Sequence, residues 1–276
     1  MFYFYLILSA LLVPLLNNFF KIFGESYSWW LVPVLLVGFF IGLILLHTII
    51  FVLSFAFVKT DSSQEKGAKY YRFLAKITVP LILKLARVEI NLSGKESDEI
   101  PNDRRMLFVC NHQHDFDPVI MLGVFGDREI GFIGKKEVYT KMPFIGKVMH
   151  KLYGLPIDRE NNREGAKTII KAIKILKEDK ASIGLFPEGY TNRSDQLLLP
   201  FRNGAFKIAY KAEVPIVVCT VNGTRAIPKR MFRRKTVVDF CVADVIYPKD
   251  FLDLTTAELG DKIHLIMEKE LKKDEN

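Results

Sequence analysis

The sequence is poor in the residues that ligate metal ions or cross-link a chain. Its 276 residues include five histidines and three cysteines. Cys110, Cys219 and Cys241 each lie in an apolar segment rich in β-branched residues, and none belongs to a Cys-x-x-Cys pair. An odd number of isolated cysteines argues against a disulfide framework and against a thiolate metal cluster, so we expect buried free thiols.

Charged residues are nearly absent from the first 58 positions, where only Lys21 and Glu25 carry charge. Two apolar runs occupy this region, residues 1–16 and 28–58. The second run exceeds the ~20 residues that a membrane-spanning helix needs. We therefore predict a membrane-embedded hairpin of two helices over residues 1–58. A shallow hairpin in one leaflet fits the weaker first run equally well, and a pair of buried core helices is the remaining alternative.

Basic residues follow the second apolar run closely, whereas the short connector between the runs carries one charge of each sign. The positive-inside rule then predicts a protein of the cell membrane whose body faces the cytoplasm, with Trp29 and Trp30 at the opposite interface. The net charge of +8 belongs to residues 59–276, which suits anionic membrane lipid and anionic carriers. No nucleic-acid recognition module accompanies this charge, so we expect no nucleic-acid partner. Nothing in the sequence indicates an oligomeric state.

Residues 59–87 join the apolar head to the body. A polar link is followed by apolar residues at helical spacing, with lysines and arginines beside them. This pattern predicts a basic amphipathic helix over residues 68–87. Such a helix lies either along the lipid surface or against the core of the body, and the pattern does not choose between the two.

Strand-like and helix-like segments alternate along the remainder of the chain. The predicted strands are residues 88–92, 106–110, 130–133, 154–158, 182–186, 214–221 and 236–243. The predicted helices are residues 118–125, 143–153, 163–177, 203–212 and 256–272. Short β-branched runs separated by helical patterns predict an α/β domain with a largely parallel sheet over residues 88–276.

Three polar clusters follow predicted strands. NHQHDFD begins after residue 110, DRENNR begins at residue 158, and PEGYTNR begins at residue 187. In a parallel sheet, ligands gather at the carboxyl ends of the strands. We therefore expect the three clusters to share one edge of the sheet.

The first cluster allows a metal site. His112, His114, Asp115 and Asp117 partly match the H-x-H-x-D-H run of binuclear zinc hydrolases, but Phe116 stands where that run needs aspartate. A catalytic zinc needs three protein ligands, and a two-metal site needs more. Because the chain has few other histidines, the second half of such a site is missing.

The same cluster also allows an acid–base pair. Five residues separate His112 from Asp117 across a turn into a predicted helix, so the carboxylate can reach the imidazole. A carboxylate on one ring nitrogen fixes the tautomer and leaves the other nitrogen free to take a proton. No serine or cysteine stands in position to be the nucleophile, which indicates that the substrate supplies its own hydroxyl.

Several motifs in this order resemble those of the glycerolipid acyltransferases, in particular the bacterial 1-acyl-sn-glycerol-3-phosphate acyltransferases. Asn111, His112 and Asp117 match the family's N-H-x-x-x-x-D motif, and residues 154–159 (GLPIDR) resemble its second motif. The blocks FPEG at 186–189, LPFRNGA at 199–205 and VPIV at 214–217 are similar to the motifs that follow. The resemblance covers residues 69–221.

The resemblance implies a glycerol-3-phosphate acyltransferase-like α/β domain over residues 88–276. It also implies a reaction in which His112, oriented by Asp117, takes the proton from the sn-2 hydroxyl of 1-acyl-glycerol-3-phosphate. The alkoxide then attacks an acyl thioester, either acyl-CoA or acyl carrier protein, and gives phosphatidic acid for phospholipid biosynthesis. Neither a metal nor another cofactor is implied.

The acceptor's phosphate needs cationic partners, because guanidinium and ammonium groups bind phosphate oxygens. The candidates are Arg159, Arg193, Lys135 and Lys136. The alternative for Arg159 is a surface ion-pair cluster, and that for the two lysines is a solvated loop. For positioning the substrate, the resemblance points to the motif residues Asn111, Glu188 and Gly189.

This chain departs from the family pattern at His114, which stands where a small residue is usual, and at Tyr190 and Asn192, which are extra residues in the third motif. The extra residues displace Arg193. Other functions stay open: the acceptor could be glycerol-3-phosphate or another lysophospholipid, and the protein could be a membrane-tethered metal hydrolase or a lipid-binding module.

Overall fold

The computed structural model has two compact units, Met1–Lys59 and Thr60–Asn276. Trp29 and Trp30, predicted as interfacial anchors, and the connector 21–27 lie outside the described residues. The residues that the structure describes are 1–20, 31–60, 63–96 and 99–273.

The described residues of the first unit form two helices, α1 (Phe2–Phe20) and α2 (Leu31–Ala56). They are joined by a hydrogen bond of 2.7 Å between the Tyr5 hydroxyl and Nδ1 of His47. In the described part of the chain, one helix is long and apolar enough to cross a membrane, over Val32–Ala56. Its side chains are mostly exposed. A helix that is apolar on all sides yet exposed fits a membrane anchor better than the buried core alternative.

In the described part of the second unit, the strands form one seven-stranded sheet. The strands are β1 (Val88–Gly94), β2 (Leu107–Cys110), β3 (Ile130–Lys135), β4 (Leu155–Ile157), β5 (Ser182–Leu185), β6 (Ile216–Asn222) and β7 (Thr236–Ile246). The helices are α3 (Ala68–Leu85), α4 (Asp117–Val124), α5 (Lys136–Lys141), α6 (Pro143–Lys151), α7 (Asn162–Lys177), α8 (Lys207–Ala212), α9 (Ile227–Arg230) and α10 (Thr256–Lys273). Short 3₁₀ turns lie at Asn203–Phe206, Thr224–Ala226 and Pro248–Asp250.

The strand order is β1-β7-β6-β2-β5-β3-β4. β6 and β7 are antiparallel, and the other neighbouring strands are parallel, which confirms the predicted α/β fold with a largely parallel sheet. β2 to β6 therefore all end at one edge of the sheet. β7 starts at that edge, because it runs against β6.

Both faces of the sheet are buried. In β2, Leu107 and Val109 belong to the core on one face, whereas Phe108 and Cys110 belong to the core on the other. Alternating side chains of a strand point to opposite faces, so a strand covered on both faces needs a continuous apolar run. The three cysteines are buried thiols, as predicted.

The basic amphipathic helix α3 packs on the body. Val79 and Leu83 lie in the same core cluster as Phe108. Tyr70 and Phe73 are 48% and 59% exposed on its outer side. Of the two positions that the sequence allows, the structure has the helix against the core of the body, with two aromatic side chains left on the surface.

Three helices differ from the sequence-based prediction, and one of them, α9, is not predicted because four residues are too few to show a period. The predicted helix 203–212 begins as a 3₁₀ turn and becomes α-helical only at Lys207, which agrees with the low helix propensity of Gly204. The sequence does not predict α5, because its six residues make less than two turns and show no usable period.

Candidate active site

The carboxyl end of β2 places a histidine beside an aspartate. β2 ends at Cys110 and α4 begins at Asp117, so the chain between them turns back on itself. Nδ1 of His112 lies 2.8 Å from Oδ2 of Asp117. The Asp117 side chain is fully buried, whereas 12% of the His112 side chain is exposed. The structure thus brings together the two residues that the sequence pairs.

Asp117 is held by more than the imidazole. Its Oδ2 also accepts hydrogen bonds from the backbone N–H groups of Gln113 at 2.6 Å and His114 at 2.8 Å. Its Oδ1 accepts a hydrogen bond of 2.6 Å from the hydroxyl of Thr224, which follows β6. A carboxylate fixed on both oxygens holds the imidazole in one orientation.

The His112 ring is oriented on both of its nitrogens. Because a carboxylate can only accept, the proton of the neutral ring lies on Nδ1, and Nε2 carries the lone pair that can accept a proton. Nε2 lies 3.3 Å from the hydroxyl oxygen of Thr191. The ring stacks on Phe186, with centroids 4.2 Å apart. An acceptor hydroxyl that replaced or joined that of Thr191 would meet a base that is ready to take its proton.

Cys110 is not placed as a nucleophile. Its side chain is fully buried in the core. Burial raises the pKa of the Cys110 thiol well above its usual range, so the thiol stays protonated. This placement agrees with a site in which the nucleophile comes from the substrate.

Glu188 ties two loops of the site together. Its Oε1 accepts the backbone N–H of His112 at 2.7 Å, and its Oε2 accepts that of Leu199 at 2.9 Å. The side chain is 3% exposed, and this burial raises the pKa of the carboxyl, while the two backbone hydrogen bonds oppose the rise. Glu188 therefore positions the backbone of His112, and both of its carboxylate oxygens already have donors.

Gly189 occupies a position that only glycine fits well. Its φ is +77°, in the left-handed region, and a Cβ there would lie 2.7 Å from Nε of Arg202. The tight turn after β5 thus allows the guanidinium of Arg202 to pass close to the backbone.

Asn111 lies in the core rather than open to a substrate. It is 1% exposed, and its side-chain amide exchanges two hydrogen bonds with the backbone of Val221, at 2.9 and 2.7 Å. The amide therefore ties the end of β2 to β6. The positioning role that the sequence suggests for Asn111 is an indirect one, exerted through the backbone that precedes His112.

Three cations surround the ring of Tyr190. Its centroid lies 5.3 Å from Nζ of Lys135, 5.1 Å from the guanidinium carbon of Arg159 and 5.0 Å from that of Arg202. The Tyr190 hydroxyl donates to Glu160 at 3.1 Å and accepts from Arg202 at 3.0 Å. Cation–π contacts hold like charges close together without neutralising them.

Arg159 in this cluster has an unsatisfied hydrogen-bond donor. Its Nη1 is buried and has no hydrogen-bond partner. The pKa of Arg159 is lowered, mainly by burial and further by the charge of Arg202. A group that is both buried and crowded by a like charge is stabilised when an anion arrives.

The other two predicted phosphate ligands stand apart from this cluster. Arg193 is exposed. Lys136 is exposed, and its Nζ lies 3.5 Å from Oδ2 of Asp158. The structure therefore groups Lys135 and Arg159 with Arg202, which the sequence did not single out.

Two further residues of the site escaped the sequence-based prediction. Asn192 is 1% exposed, and its backbone N–H donates to the carbonyl of His112 at 2.7 Å. Arg225 donates to the carbonyl of Asn192 at 2.7 Å and to that of Ser194 at 3.1 Å. The extra residue Asn192 thus fixes the third-motif loop on the histidine, and the sequence signal for it was its departure from the family pattern.

His114 does not reach the carboxylate through its ring. Its Nδ1 accepts the backbone N–H of Phe116 at 3.2 Å, and the two rings stack with centroids 5.9 Å apart. The ring stabilises the turn before α4.

A largely apolar groove of about 610 Å³ runs beside the cation cluster. Phe186, which stacks on His112, forms part of its wall, and Arg159 and Arg202 of the cation cluster also line it. Its apolar lining includes Ile133, Ile157, Ile169, Ile173 and Leu185. A groove with this apolar lining fits a hydrocarbon chain.

Within the described ranges, no three His, Cys, Asp or Glu side chains gather as metal ligands. The metal-hydrolase alternative therefore finds no ligand set in that part of the chain.

Comparison with known proteins gives one family. The family model described as Acyltransferase matches residues 90–222. The chain is 31% identical over 183 residues to the 1-acyl-sn-glycerol-3-phosphate acyltransferase of Haemophilus influenzae, covering 64% of this chain and 74% of that protein. It is also 31% identical over 189 residues to the enzyme of the same description from Bacillus subtilis, covering 68% of this chain and 88% of that protein.

The fold has a close counterpart among solved structures. The crystal structure of the 1-acyl-sn-glycerophosphate acyltransferase from Thermotoga maritima superposes with a TM-score of 0.63 at 25% identity, covering 82% of this chain and 87% of that chain. The similarity extends well beyond the residues that carry the motifs.

Proposed function

The chain belongs to the acyltransferase family, and from this membership we propose that it transfers an acyl chain to the sn-2 hydroxyl of 1-acyl-glycerol-3-phosphate, giving phosphatidic acid. The observation that carries the proposal is the His112–Asp117 pair, in which Nε2 of His112 lies 3.3 Å from the hydroxyl of Thr191, the residue that follows Tyr190 of the cation cluster. The names of the relatives support the choice of acceptor. The same pair would serve glycerol-3-phosphate or another lysophospholipid as acceptors.

In the proposed reaction, Nε2 of His112 takes the proton of the acceptor hydroxyl while its oxygen attacks the carbonyl carbon of the acyl thioester. The tetrahedral intermediate collapses, the carbon–sulfur bond breaks, and the imidazolium returns the proton to the leaving thiolate. Asp117 holds the ring and stabilises its charged form. Positioned acid–base catalysis contributes ~10²–10⁴-fold, so holding the two substrates together must supply much of the rest.

The cations around Tyr190 are the proposed phosphate site. Arg159 has a buried Nη1 without a partner, and Lys135 and Arg202 add positive charge on the same ring. Guanidinium groups bind phosphate oxygens bidentately, which fixes the acceptor as well as attracting it. Arg193 and Lys136, from their exposed positions, would attract the anion without holding it.

The acyl donor is a co-substrate, either acyl-CoA or acyl carrier protein, and the proposed reaction uses no other cofactor. The apolar groove beside Phe186 supports a bound acyl chain. The apolar helix over Val32–Ala56 and the lysines that follow it support a location at the cell membrane with the α/β body on the cytoplasmic face.

One assay tests this function. Full-length protein in phospholipid vesicles is given lysophosphatidate with acyl-CoA or with acyl carrier protein, and phosphatidic acid is measured by mass spectrometry. Glycerol-3-phosphate and lysophosphatidylcholine serve as competing acceptors. We expect phosphatidic acid with at least one donor and a higher kcat/KM for lysophosphatidate than for either competitor. Faster acylation of a competitor, or no phosphatidic acid with either donor, would contradict the proposal.

A further inference from the structure

A short loop rich in lysine and arginine lies at the same edge of the sheet as His112. β6 ends at that edge, Thr224 follows it and holds Asp117, and β7 begins beside the end of β6. The connection between them includes residues 229–235, the basic loop, whose sequence is KRMFRRK. Five of its seven residues are lysine or arginine.

The charge of the basic loop is exposed and little neutralised. Its five cations are all exposed. Among the residues that the structure describes, one of these five cations forms an ion pair: Nζ of Lys235 lies 2.5 Å from a carboxylate oxygen of Glu89. Arg87 adds a sixth cation, since its Nη1 donates to the carbonyl of Arg233 at 3.4 Å. These cations form a concentrated positive surface, and the basic loop follows Thr224 of the candidate active site by a few residues in the sequence.

The apolar residues of the basic loop point in opposite directions. Met231 packs against the core of the body. Phe232 is 67% exposed, and its φ is +67°, a conformation that non-glycine residues seldom adopt. The carbonyl of Arg230 accepts the backbone N–H groups of Arg233 at 3.0 Å and Arg234 at 2.8 Å, which closes the turn. The fold thus holds a phenylalanine outward, between cations, at a cost in backbone conformation.

We propose that the basic loop is a docking surface for an anionic phospholipid bilayer, with Phe232 in the interface and the cations on the lipid phosphates. An aromatic ring surrounded by lysine and arginine suits the boundary between headgroups and acyl chains, where apolar and cationic groups are both stabilised. In water, by contrast, the cations are well solvated but exposure of the apolar ring is unfavourable.

The bilayer fits better than an acidic protein partner. The exposed apolar surface of the loop is a single ring rather than a broad patch, and a stable protein interface needs a wide, closely packed apolar core. Docking at this edge would also bring the edge of the sheet that carries His112 close to the lipid surface. This consequence rests on the proposed function, in which the acceptor is a lipid of the membrane.

The test uses the full-length protein with Phe232→Cys, labelled with a thiol-reactive fluorophore that responds to its environment. The three native cysteines are buried, so labelling is selective for the new site. Leu265→Cys on α10 is the matched control, since Leu265 is 65% exposed. The labelled proteins are reconstituted in vesicles of phosphatidylcholine alone or mixed with phosphatidylglycerol, with and without nitroxide-labelled lipid.

We expect the label at 232 to shift to the blue and to be quenched by nitroxide lipid in the anionic vesicles, and the label at 265 to be the same in both. The shift should be lost on adding Arg233→Glu and Arg234→Glu, or at high salt. Equal emission at 232 in the two kinds of vesicle would overturn the proposal. So would a shift that acyl carrier protein causes without anionic lipid, which would identify an acidic protein partner. The readout needs no turnover, so its failure is distinguishable from failure of the proposed acyltransferase function.

Discussion

The hydroxyl of Thr224 donates a hydrogen bond of 2.6 Å to Oδ1 of Asp117, across 107 residues of sequence. The same carboxylate holds Nδ1 of His112 through its other oxygen. Two neighbouring parallel strands, β2 and β6, thus each contribute one residue to the position of the base.

Thr224→Val removes that hydroxyl and keeps the shape of the side chain. Hydrogen bonds to charged groups are worth about 1.5–3 kcal/mol, so we expect kcat to fall by roughly tenfold or more while KM changes little. Steady-state kinetics with varied acceptor measure both. Thr224→Ser is the control, because it keeps the hydroxyl and should retain most of kcat. A valine variant with normal kcat would show that the Asp117 carboxylate needs no second anchor.

Glu188→Gln tests the buried carboxylate through its pH dependence. Burial raises the pKa of Glu188 in the folded protein above the ordinary 4.5, so the folded state binds its proton more tightly than the unfolded state does. Wild-type stability relative to the variant is therefore greatest below pH 4.5 and falls as pH rises through the raised pKa. Thermal unfolding in detergent across this range measures the difference.

Glu258→Gln is the control, because the pH dependence of its effect on stability should have the opposite sign. Hydrogen bonds from Thr255 lower the pKa of Glu258, so its contribution is present at higher pH and is lost as pH falls through the lowered value. Parallel pH profiles for the two variants would contradict the assignment of Glu188.

Gly189→Ala places a methyl group against Arg202. The left-handed conformation costs a non-glycine residue about 1–2 kcal/mol, and the Cβ would lie 2.7 Å from Nε of Arg202. We expect a lower melting temperature and a higher KM for the acceptor. Gly204→Ala is the control, since a Cβ at Gly204 meets nothing within 4 Å. Equal behaviour of the two alanine variants would exclude the close approach of Arg202 as the reason for glycine at 189.

Tyr190→Leu removes the ring on which three cations lie. Each cation–π contact is worth about 0.5–2 kcal/mol. Loss of the arrangement should raise KM for lysophosphatidate by about tenfold, equivalent to ~1.4 kcal/mol, with a smaller change in kcat. Tyr190→Phe keeps the ring and should lie much closer to wild type. A phenylalanine variant as impaired as the leucine variant would assign the effect to the hydroxyl instead.

Local patterns predicted the fold and the catalytic pair. The apolar runs of the strands, the helix that starts at Asp117 and the spacing from His112 are all features of short segments, so the sequence contains them. The contacts of Thr224 and Arg225 depend on β6 lying beside β2, a long-range relationship that no local pattern records.

The geometry modifies the predicted role of one residue and gives a role to another that had none. Asn111 matches a motif, but its amide is used by the backbone of Val221, so the motif position reflects strand pairing as much as chemistry. Tyr190 had no assigned role, because the attraction between its ring and Lys135, Arg159 and Arg202 requires separate segments of the chain to meet. A single sequence does not identify residues whose role depends on contacts with side chains that are distant in the sequence.

The most direct measurement is the kcat of His112→Ala with lysophosphatidate and an acyl thioester, beside His114→Ala as the matched histidine control. If Nε2 of His112 is the general base, kcat falls by about 10²–10⁴-fold in the first variant, and Asp117→Asn falls with it. His114→Ala keeps most of its activity, because its ring bonds only the turn before α4. A His112→Ala enzyme within a few-fold of wild type would contradict the mechanism.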